Sequence, residues 1–233
     1  MENNYLEALK FWNSAFELDE DTKKQYQQEL DPAKWKEIVS SEKLADILIR
    51  ELSGSKHVLD YGCGEGWAGI ALNKSGCSDV TAVDVVENAI KMAEFLKSLF
   101  KIESGLQFKC VSDKWLESVK EGSFDGIFCS NVIDVLPADV AESILMNLSK
   151  AASDGAKVLI SMNYYAKPVS NPERGIEIRG GNEMYVNGIL RMVTRTDEEW
   201  TKILGKYFTV EKIEYFAWIG ETEEKRRVFI LKK

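Results

Sequence analysis

Short apolar runs and amphipathic runs alternate through the middle of the chain. Five runs rich in Val, Ile, Leu and Phe predict strands, at residues 57–61, 80–85, 106–111, 124–130 and 156–162. Helical patterns lie between them, at about residues 67–75, 86–100 and 138–152. Strands that alternate with helices predict an α/β, doubly wound fold, in which a parallel sheet is covered on both faces.

The first 39 residues show a different pattern, in which aromatic side chains are scattered among many charges. This pattern predicts short amphipathic helices, broken at Asp31 and Pro32. Ser41 can cap a stronger helix that runs to Leu52. We therefore expect a single domain over residues 1–233, with an N-terminal helical cap over residues 1–39.

The rhythm breaks after the fifth strand. Asn187 and Gly188 favour the type I′ turn of a β-hairpin, and a second reversal at residues 180–182 predicts a three-stranded meander. Long insertions at the carboxyl edge of a sheet commonly act as lids, so we expect residues 164–195 to be a lid that selects the substrate. The same segment is also suited to a dimer interface.

The end of the chain predicts a helix followed by a hairpin. Thr196 and Glu199 form a capping box for a helix that ends at Leu204. Two further apolar runs follow, at residues 208–218 and 226–233, joined by a short charged segment. A hairpin there reverses the last strand. The whole pattern predicts a Rossmann-like sheet of seven strands, mostly parallel, with an antiparallel last strand.

Charge and composition narrow the possible partners. The 233 residues are 45% hydrophobic and carry a net charge of -8, with 38 acidic against 30 basic residues. This balance argues against a nucleic-acid partner, because phosphates reward a basic surface. No apolar run approaches the length of a membrane span, and the acidic N-terminus lacks the apolar core of a signal peptide. We expect no membrane partner.

The pattern of cysteines predicts reduced thiols. The Cys and His spacings do not predict a metal site. The four cysteines show no CxxC pairing, so we expect reduced thiols in a cytoplasmic protein. No Cys/His spacing suits zinc, and the fifth strand ends at Ser161 and Met162, without a carboxylate. We expect no metal.

The stretch VLDYGCGEG, residues 58–66, places a glycine loop directly after the first strand. In open parallel sheets, ligands bind at the carboxyl ends of strands where the winding reverses. Gly64, Gly66 and Gly69 match GxGxxG, with Asp84 twenty residues after Gly64, as a dinucleotide site requires. Asp60 opposes this interpretation because it would repel a pyrophosphate. An acid at that place suits a ligand with an ammonium and a sulfonium.

Residues 60–66 resemble motif I of the class I S-adenosylmethionine-dependent methyltransferases. Residues 121–137 resemble the fourth-strand segment of the small-molecule branch, type 11, and the resemblance covers about residues 40–162 and the two closing strands. It implies S-adenosyl-L-methionine as cofactor. The implied cofactor-binding residues are, in chain order, Asp60, Gly62, Cys63, Gly64, Asp84, Val85, Asp113, Lys114, Ser130 and Asn131.

The resemblance also assigns parts of the cofactor to three of these places. The loop glycines pack on its amino-acid portion, Asp84 binds both ribose hydroxyls, and Asp113 meets the adenine amine. Each acid also has a structural interpretation: Asp60 as an anchor for loop amides, Asp84 as a helix cap and Asp113 as part of a plain turn. Trp12 and Trp67 are suited to stacking on the cofactor, although burial explains them as well.

Methyl transfer from a sulfonium is an in-line displacement, so alignment and a dry pocket supply most of the acceleration. Asn131 and Asp134 are the catalytic candidates, with Asp134 the first candidate for contact with the acceptor, although a loop cap fits it equally. His57 lies at the wrong end of the first strand to act as a base. Tyr164, Tyr165, Tyr185 and Arg191 are expected to contact a small-molecule acceptor.

These patterns predict a methyltransferase that acts on a small molecule as a monomer or homodimer. One alternative is an NAD-dependent oxidoreductase that uses Gly64, Gly66 and Gly69. The other is a catalytically silent, cofactor-binding partner subunit.

Overall fold

Ten strands and seven α-helices make up the computed structural model, which describes residues 2–233, the side chains of residues 2–5 and 8 excepted. Met1, which the single-domain prediction includes, lies outside the described residues. The strands are β1 (Val58–Tyr61), β2 (Val80–Asp84), β3 (Leu106–Cys110), β4 (Phe124–Ser130), β5 (Ala152–Met162), β6 (Ile176–Arg179), β7 (Glu183–Val186), β8 (Ile189–Val193), β9 (Thr209–Phe216) and β10 (Arg226–Lys232). The helices are α1 (Glu2–Ala15), α2 (Glu20–Glu29), α3 (Glu42–Leu52), α4 (Trp67–Lys74), α5 (Glu87–Leu99), α6 (Ala138–Ala151) and α7 (Asp197–Leu204).

The main sheet has the order β3-β2-β1-β4-β5-β10-β9. The first five strands pair in parallel, and β10 lies between β5 and β9, antiparallel to both. The predicted fold class is therefore confirmed, with the last strand antiparallel to the rest. The strand β5 begins at Ala152, four residues before the predicted start, and its pairing with β4 is irregular there.

Both faces of this sheet are covered, as the continuous apolar strands require. Val58 packs into a core that includes residues of α3, α4 and α5, whereas Leu59 and Tyr61 pack into a second core with residues of α6 and α7. This split follows from the alternation of side chains along a strand. The strand order reverses between β1 and β4, which places a crevice at their carboxyl ends.

Two predicted caps and one predicted turn are confirmed. Ser41 Oγ accepts the Leu44 N–H at 3.3 Å and begins α3. Thr196 and Glu199 form the reciprocal capping box of α7. In the β7–β8 turn, Asn187 and Gly188 both have positive φ, 51° and 81°, as a type I′ turn demands.

The insertion after β5 is a separate small sheet of order β6-β7-β8, the predicted meander. Its last strand, β8, packs against α1. The helix α1 also contacts α5, so the N-terminal helices and the insertion meet at the carboxyl edge of the main sheet. Within residues 2–233, no helix has the length and apolar character needed to cross a membrane.

Candidate functional site

A cavity of about 380 Å³ opens at the carboxyl ends of β1, β2 and β4, beneath α1. This volume is in the range of small-molecule sites. The part of its lining that comes from the predicted cofactor-binding set consists of Asp60, Gly62, Cys63, Gly64, Asp84, Val85, Ser130 and Asn131. The structure thus brings eight of the ten predicted cofactor-binding residues to one cavity.

The glycine loop is shaped by its own packing. The N–H groups of Gly62 and Cys63 both donate to the carbonyl of Val83, at 2.8 and 3.0 Å, which fastens the loop to β2. Gly62 has φ +71°, and a Cβ there would overlap Val132; Gly66 has φ +84°, and a Cβ would overlap the ring of Phe108. Glycine at these two positions lets the loop turn tightly and turn its backbone toward the cavity.

Asp60 is buried at the end of β1 and is 2% exposed. Its Oδ2 has no hydrogen-bond partner within the described part of the chain. Burial raises the pKa of Asp60 to about 7, repulsion from Asp84 adds to the increase, and a backbone hydrogen bond from Gly69 opposes it. A buried carboxylate oxygen without a donor is unfavourable. The position therefore suits a ligand that brings an N–H donor, above all a charged one.

Asp84 ends β2 and is already engaged by the backbone. Its Oδ2 accepts the Gly64 N–H and its Oδ1 accepts the Val86 N–H, both at 2.9 Å. Burial raises the pKa of Asp84. A carboxylate has about four acceptor sites, so both oxygens retain capacity for ligand hydroxyls. Asp84 thus stabilises the turn before α5 and is not its N-cap, which is Val86.

The end of β4 presents a polar pair. Ser130 Oγ and Ser161 Oγ are 2.6 Å apart, and the Asn131 N–H donates to the Ser161 carbonyl at 2.9 Å. Asn131 has φ +53°, an uncommon backbone conformation for a residue other than glycine. Its Nδ2 is buried and has no partner among residues 2–233. A strained residue with an unused donor beside a cavity is typical of a functional position.

Asp113 and Lys114 lie outside the cavity lining. Both are exposed in the turn after β3, just before the short 3-10 helix Trp115–Ser118. Val111, at the end of the same strand, lines the cavity instead. In this structure, residues 112–114 form a turn and do not contact the cavity, which corresponds to the structural alternative given above for Asp113.

Asp134 also lies outside the lining, buried behind it. Its Oδ2 accepts the Asn163 backbone N–H at 2.8 Å and the Asn163 Nδ2 at 2.9 Å, and its carbonyl accepts the Val193 N–H at 2.6 Å. Burial raises the pKa of Asp134. The residue therefore joins the loop after β4 to β5 and to the meander, which corresponds to the loop-cap interpretation.

The four residues expected to contact the acceptor do not reach the cavity in this structure. Tyr164 and Tyr165 are exposed. Tyr185 is buried in the small core of the meander with Leu190 and Val193. Its hydroxyl lies 3.2 Å from Glu183 Oε2, so these two side chains lie on the same face of the meander.

Arg191 explains why the meander stays away from the cavity. Its guanidinium lies 4.0 Å from the ring centroid of Phe11 and 5.4 Å from that of Trp12, both on α1. The helix thus stands between the meander and the cavity. The lining residues of this cover are Leu9, Trp12 and Phe16, of which only Trp12 had been singled out by sequence.

Trp218 also lines the cavity, and the sequence did not indicate it. It lies between β9 and β10, far along the chain from the glycine loop, and no local motif marks it. Trp67, which had been considered for stacking, lines the cavity and packs edge-on against Phe128 at a centroid distance of 5.7 Å.

Two further findings concern groups outside the cavity. His57 lies at the start of β1, opposite the cavity, where Nδ1 is 2.6 Å from Asp79 Oδ2 at the surface. In the part of the chain that the structure describes, no cluster of three or more His, Cys, Asp or Glu residues could hold a metal ion.

Comparisons with known proteins give a family. Residues 33–204 match the family model described as "Methyltransferase domain". The crystal structure of the Burkholderia thailandensis 1,6-didemethyltoxoflavin-N1-methyltransferase, with bound 1,6-didemethyltoxoflavin and S-adenosylhomocysteine, has a similar fold. Its TM-score is 0.67 at 18% identity, over 85% of this chain and 80% of that one.

Two curated proteins are similar in sequence over part of their length. Ribosomal protein L11 methyltransferase of Acetivibrio thermocellus is 30% identical over 45% of this chain and 29% of its own length. Ubiquinone biosynthesis O-methyltransferase of Neisseria meningitidis serogroup C is 22% identical over 64% of this chain and 58% of its own. The chain thus spans less than two thirds of either relative.

Proposed function

This chain belongs to the methyltransferase domain family, and on that premise we propose that it transfers a methyl group from S-adenosyl-L-methionine to a small-molecule acceptor. The observation that carries the proposal is the buried oxygen of Asp60 beside the glycine loop, which has no hydrogen-bond partner among the residues that the structure describes. Family membership favours this function over the NAD-dependent alternative, and so does the carboxylate at a place where a pyrophosphate would be repelled.

The residues of the cavity fit this cofactor. Asp60 lacks the donor that an ammonium would supply. Asp84 keeps acceptor capacity for two ribose hydroxyls. The glycine loop leaves its backbone open to the cavity. When bound, S-adenosyl-L-methionine supplies a methyl group attached to a sulfonium. The acceptor takes this methyl group, and the neutral thioether S-adenosylhomocysteine is the leaving group.

The chain contributes binding, alignment and exclusion of water. Leu9, Trp12 and Phe16 cover the cavity with apolar surface, and a dry site strengthens the electrostatic interactions within it. Asn131 holds an unused amide donor at the end of β4, which we assign to orienting the heteroatom of the acceptor. Asp134 is a positioning residue, because it fixes the loop that carries Asn131 to β5 and β8.

The meander acts on the site through α1. Its Arg191 stacks on Phe11 and Trp12 of that helix. We therefore assign the lid function to α1 braced by residues 164–195, rather than to Tyr164, Tyr165 or Tyr185 directly.

The acidic charge balance supports a small-molecule acceptor rather than a nucleic acid. The four cysteines are free thiols, which supports a reducing compartment such as the cytoplasm. A monomer or homodimer remains our expectation for the assembly.

Calorimetry with S-adenosylhomocysteine and with NADH tests the proposal. We expect micromolar binding of S-adenosylhomocysteine, about -8 kcal/mol, and no heat with NADH. Heat with NADH alone would overturn the assignment. Cofactor binding without transfer of labelled methyl to any fraction of a metabolite extract would favour the silent-subunit alternative.

A further inference from the structure

The charges that line the cavity are confined to one side. Among the described residues, the charged lining side chains are Asp60, Glu65 and Asp84, and all three are acidic. They come from β1, the glycine loop and β2. Burial raises the pKa of Glu65, as it does for the two aspartates.

Beyond the acidic residues, much of the cavity lining is apolar. Behind Asn131, the loop after β4 contributes only aliphatic side chains to the lining, α6 adds one more, and the β9–β10 connection supplies an indole. These residues are Val132, Val135, Leu136, Ile144 and Trp218.

Trp218 is held rigidly by a buried cation behind it. The guanidinium of Arg226, which is 6% exposed, lies 3.3 Å from the centroid of the Trp218 ring. Arg226 Nε and Nη2 donate to Glu221 at 2.9 and 2.7 Å. The same Glu221 accepts the backbone N–H of Trp218 at 2.9 Å. An aromatic wall fixed in this way is pre-organised for a ligand.

Further hydrogen bonds connect Trp218 and Arg226 to two other segments of the chain. Arg226 Nη1 donates to Asn163 Oδ1 at 2.5 Å, and Asn163 is the residue that Asp134 holds. The Ile219 N–H donates to the carbonyl of Ser40, itself a lining residue, at 3.0 Å. The position of Trp218 is therefore set by contacts with two other segments of the chain.

We propose that the part of the cavity beside Trp218 is an acceptor subsite for an uncharged, planar aromatic ring. The inference rests on the proposed function, since it assumes that the acidic side holds the cofactor. An indole that lines a cavity favours offset or edge-on packing of another aromatic ring. The carboxylates exclude an anionic acceptor, because no cation lines the described cavity to compensate it.

A cationic acceptor is excluded by two like charges. Arg226 already occupies one side of the Trp218 ring, and the proposed cofactor carries a sulfonium. A third cation beside these two would be repelled by them and would lose its hydration.

Three probes with the same two-ring skeleton test the subsite: naphthol, naphthoate and decahydronaphthol, all substituted at the same carbon. Naphthol is flat and neutral, naphthoate is flat and anionic, and decahydronaphthol is neutral but not flat. Each is titrated by calorimetry into the full chain saturated with S-adenosylhomocysteine. We expect naphthol to bind at least about tenfold more tightly than either of the others.

Substitutions assign the effect to the wall. Trp218→Leu should weaken naphthol binding by at least about fivefold, and Trp218→Phe should restore most of it, while the affinity for S-adenosylhomocysteine stays within about twofold. Trp35→Leu is the matched control. Trp35 packs half-buried against the same core as Trp218 but lies outside the lining, so its loss should leave naphthol binding within about twofold.

The outcomes separate this inference from the proposed function. Equal or tighter binding of naphthoate or decahydronaphthol, or naphthol binding that Trp218→Leu does not change, would overturn the acceptor class alone. Failure of S-adenosylhomocysteine to bind in the first titration would overturn the proposed function, and the inference with it.

Discussion

Asp60 shows a conflict between stability and binding within one side chain. Its carboxyl lies in a place that disfavours its charge, since burial raises its pKa to about 7, and one of its oxygens has no partner among residues 2–233. An ammonium ligand would reverse both conditions. Asp60 therefore lowers the stability of the free protein and contributes to the binding of the ligand.

Asp60→Asn should stabilise the ligand-free protein at pH above about 7. With a folded pKa of about 7 and an unfolded pKa of about 3.9, wild-type Asp60 keeps its proton longer in the folded state. The free energy of unfolding therefore falls as pH rises between these two values. We expect the substitution to remove the part of this fall that Asp60 causes and to raise the free energy of unfolding near pH 8 by roughly 2–4 kcal/mol.

Urea unfolding near pH 5 and near pH 8 measures this effect. The exposed Asp46→Asn is the control and should leave the pH dependence unchanged. A wild-type protein whose stability does not fall over this interval would contradict the raised pKa.

Binding of S-adenosylhomocysteine should release a proton near pH 6.5. If its ammonium pairs with Asp60, the pKa of the carboxyl falls on binding, and the proton held in the free protein is lost. Calorimetry in two buffers with different ionisation enthalpies should show roughly half a proton or more released. Asp60→Asn should bind more weakly and release none; unchanged release in that variant would assign the proton to another group.

Asp84→Ala should weaken S-adenosylhomocysteine binding by about 1.5–3 kcal/mol, because it removes charge-assisted hydrogen bonds to two hydroxyls. Asp113→Ala serves as the comparison, because Asp113 is exposed and lies outside the cavity lining. Calorimetry should show a much smaller effect there. If Asp84→Ala binds like the wild type, Asp84 serves only to hold the turn before α5.

At the scale of elements, α1 is the part of the molecule that connects the insertion to the site. Asn88 donates two hydrogen bonds to Asn13: its backbone N–H to Asn13 Oδ1 at 3.2 Å and its Nδ2 to the Asn13 carbonyl at 2.9 Å. The helix α1 thus supplies a cap for α5, whose N-terminus has no side-chain cap of its own. Together with Arg191, this pair holds α1 over the cavity from two sides.

Arg191→Met should loosen α1 and raise the Kd for S-adenosylhomocysteine by about three- to tenfold, since the cation–π contacts with Phe11 and Trp12 are lost. Arg179→Met is the matched control. Arg179 stacks on Tyr185 at 4.1 Å, inside the meander. Hydrogen exchange should accelerate in α1 for Arg191→Met only, and equal effects of the two variants would mean that the meander matters through its own stability.

The elements were predictable because each carries a local signal. The runs of β-branched residues predicted the strands, Asn187 and Gly188 predicted the turn, and Thr196 with Glu199 predicted the start of α7. The start of β5 was placed four residues late, because residues 152–155 include Asp154 and Gly155, which lack strand character. Their strand conformation depends on tertiary pairing.

At the scale of the whole molecule, the carboxyl and amino ends of the parallel strands have separate roles. The ligand cavity lies at the carboxyl edge of the parallel strands, whereas His57 lies at the opposite edge, paired with Asp79. The sequence suffices to place both, because strand direction follows from chain order in a parallel sheet.

His57→Gln should therefore leave methyl transfer and its pH profile unchanged within about twofold, since a surface pair distant from the site contributes little. Steady-state rates between about pH 6 and 9 measure this once an acceptor is in hand. A large loss of turnover in a folded variant would place the site at the other edge.

Only part of the site could be predicted from the sequence. Residues that directly follow a strand, such as Asp60, Asp84 and Asn131, are placed by topology alone. Leu9, Phe16 and Trp218 reach the cavity through long-range packing of α1 and of the β9–β10 connection, which no local pattern encodes. The expectation for Tyr185 and Arg191 assumed that the insertion touches the cavity directly, and the intervening helix was not foreseeable.

The position of β10 has a consequence for how this chain is made. It lies between β5 and β9, yet it is the last of the ten strands in chain order. While the chain is being synthesised, β1 to β5 emerge and can pair in sequence, but the outer edge of β5 has no neighbour until β10 appears. The residues 158–162 on that edge are all buried in the finished sheet. The nascent protein therefore presents an apolar, unpaired strand edge until β10 is made, and such an edge favours association with other chains.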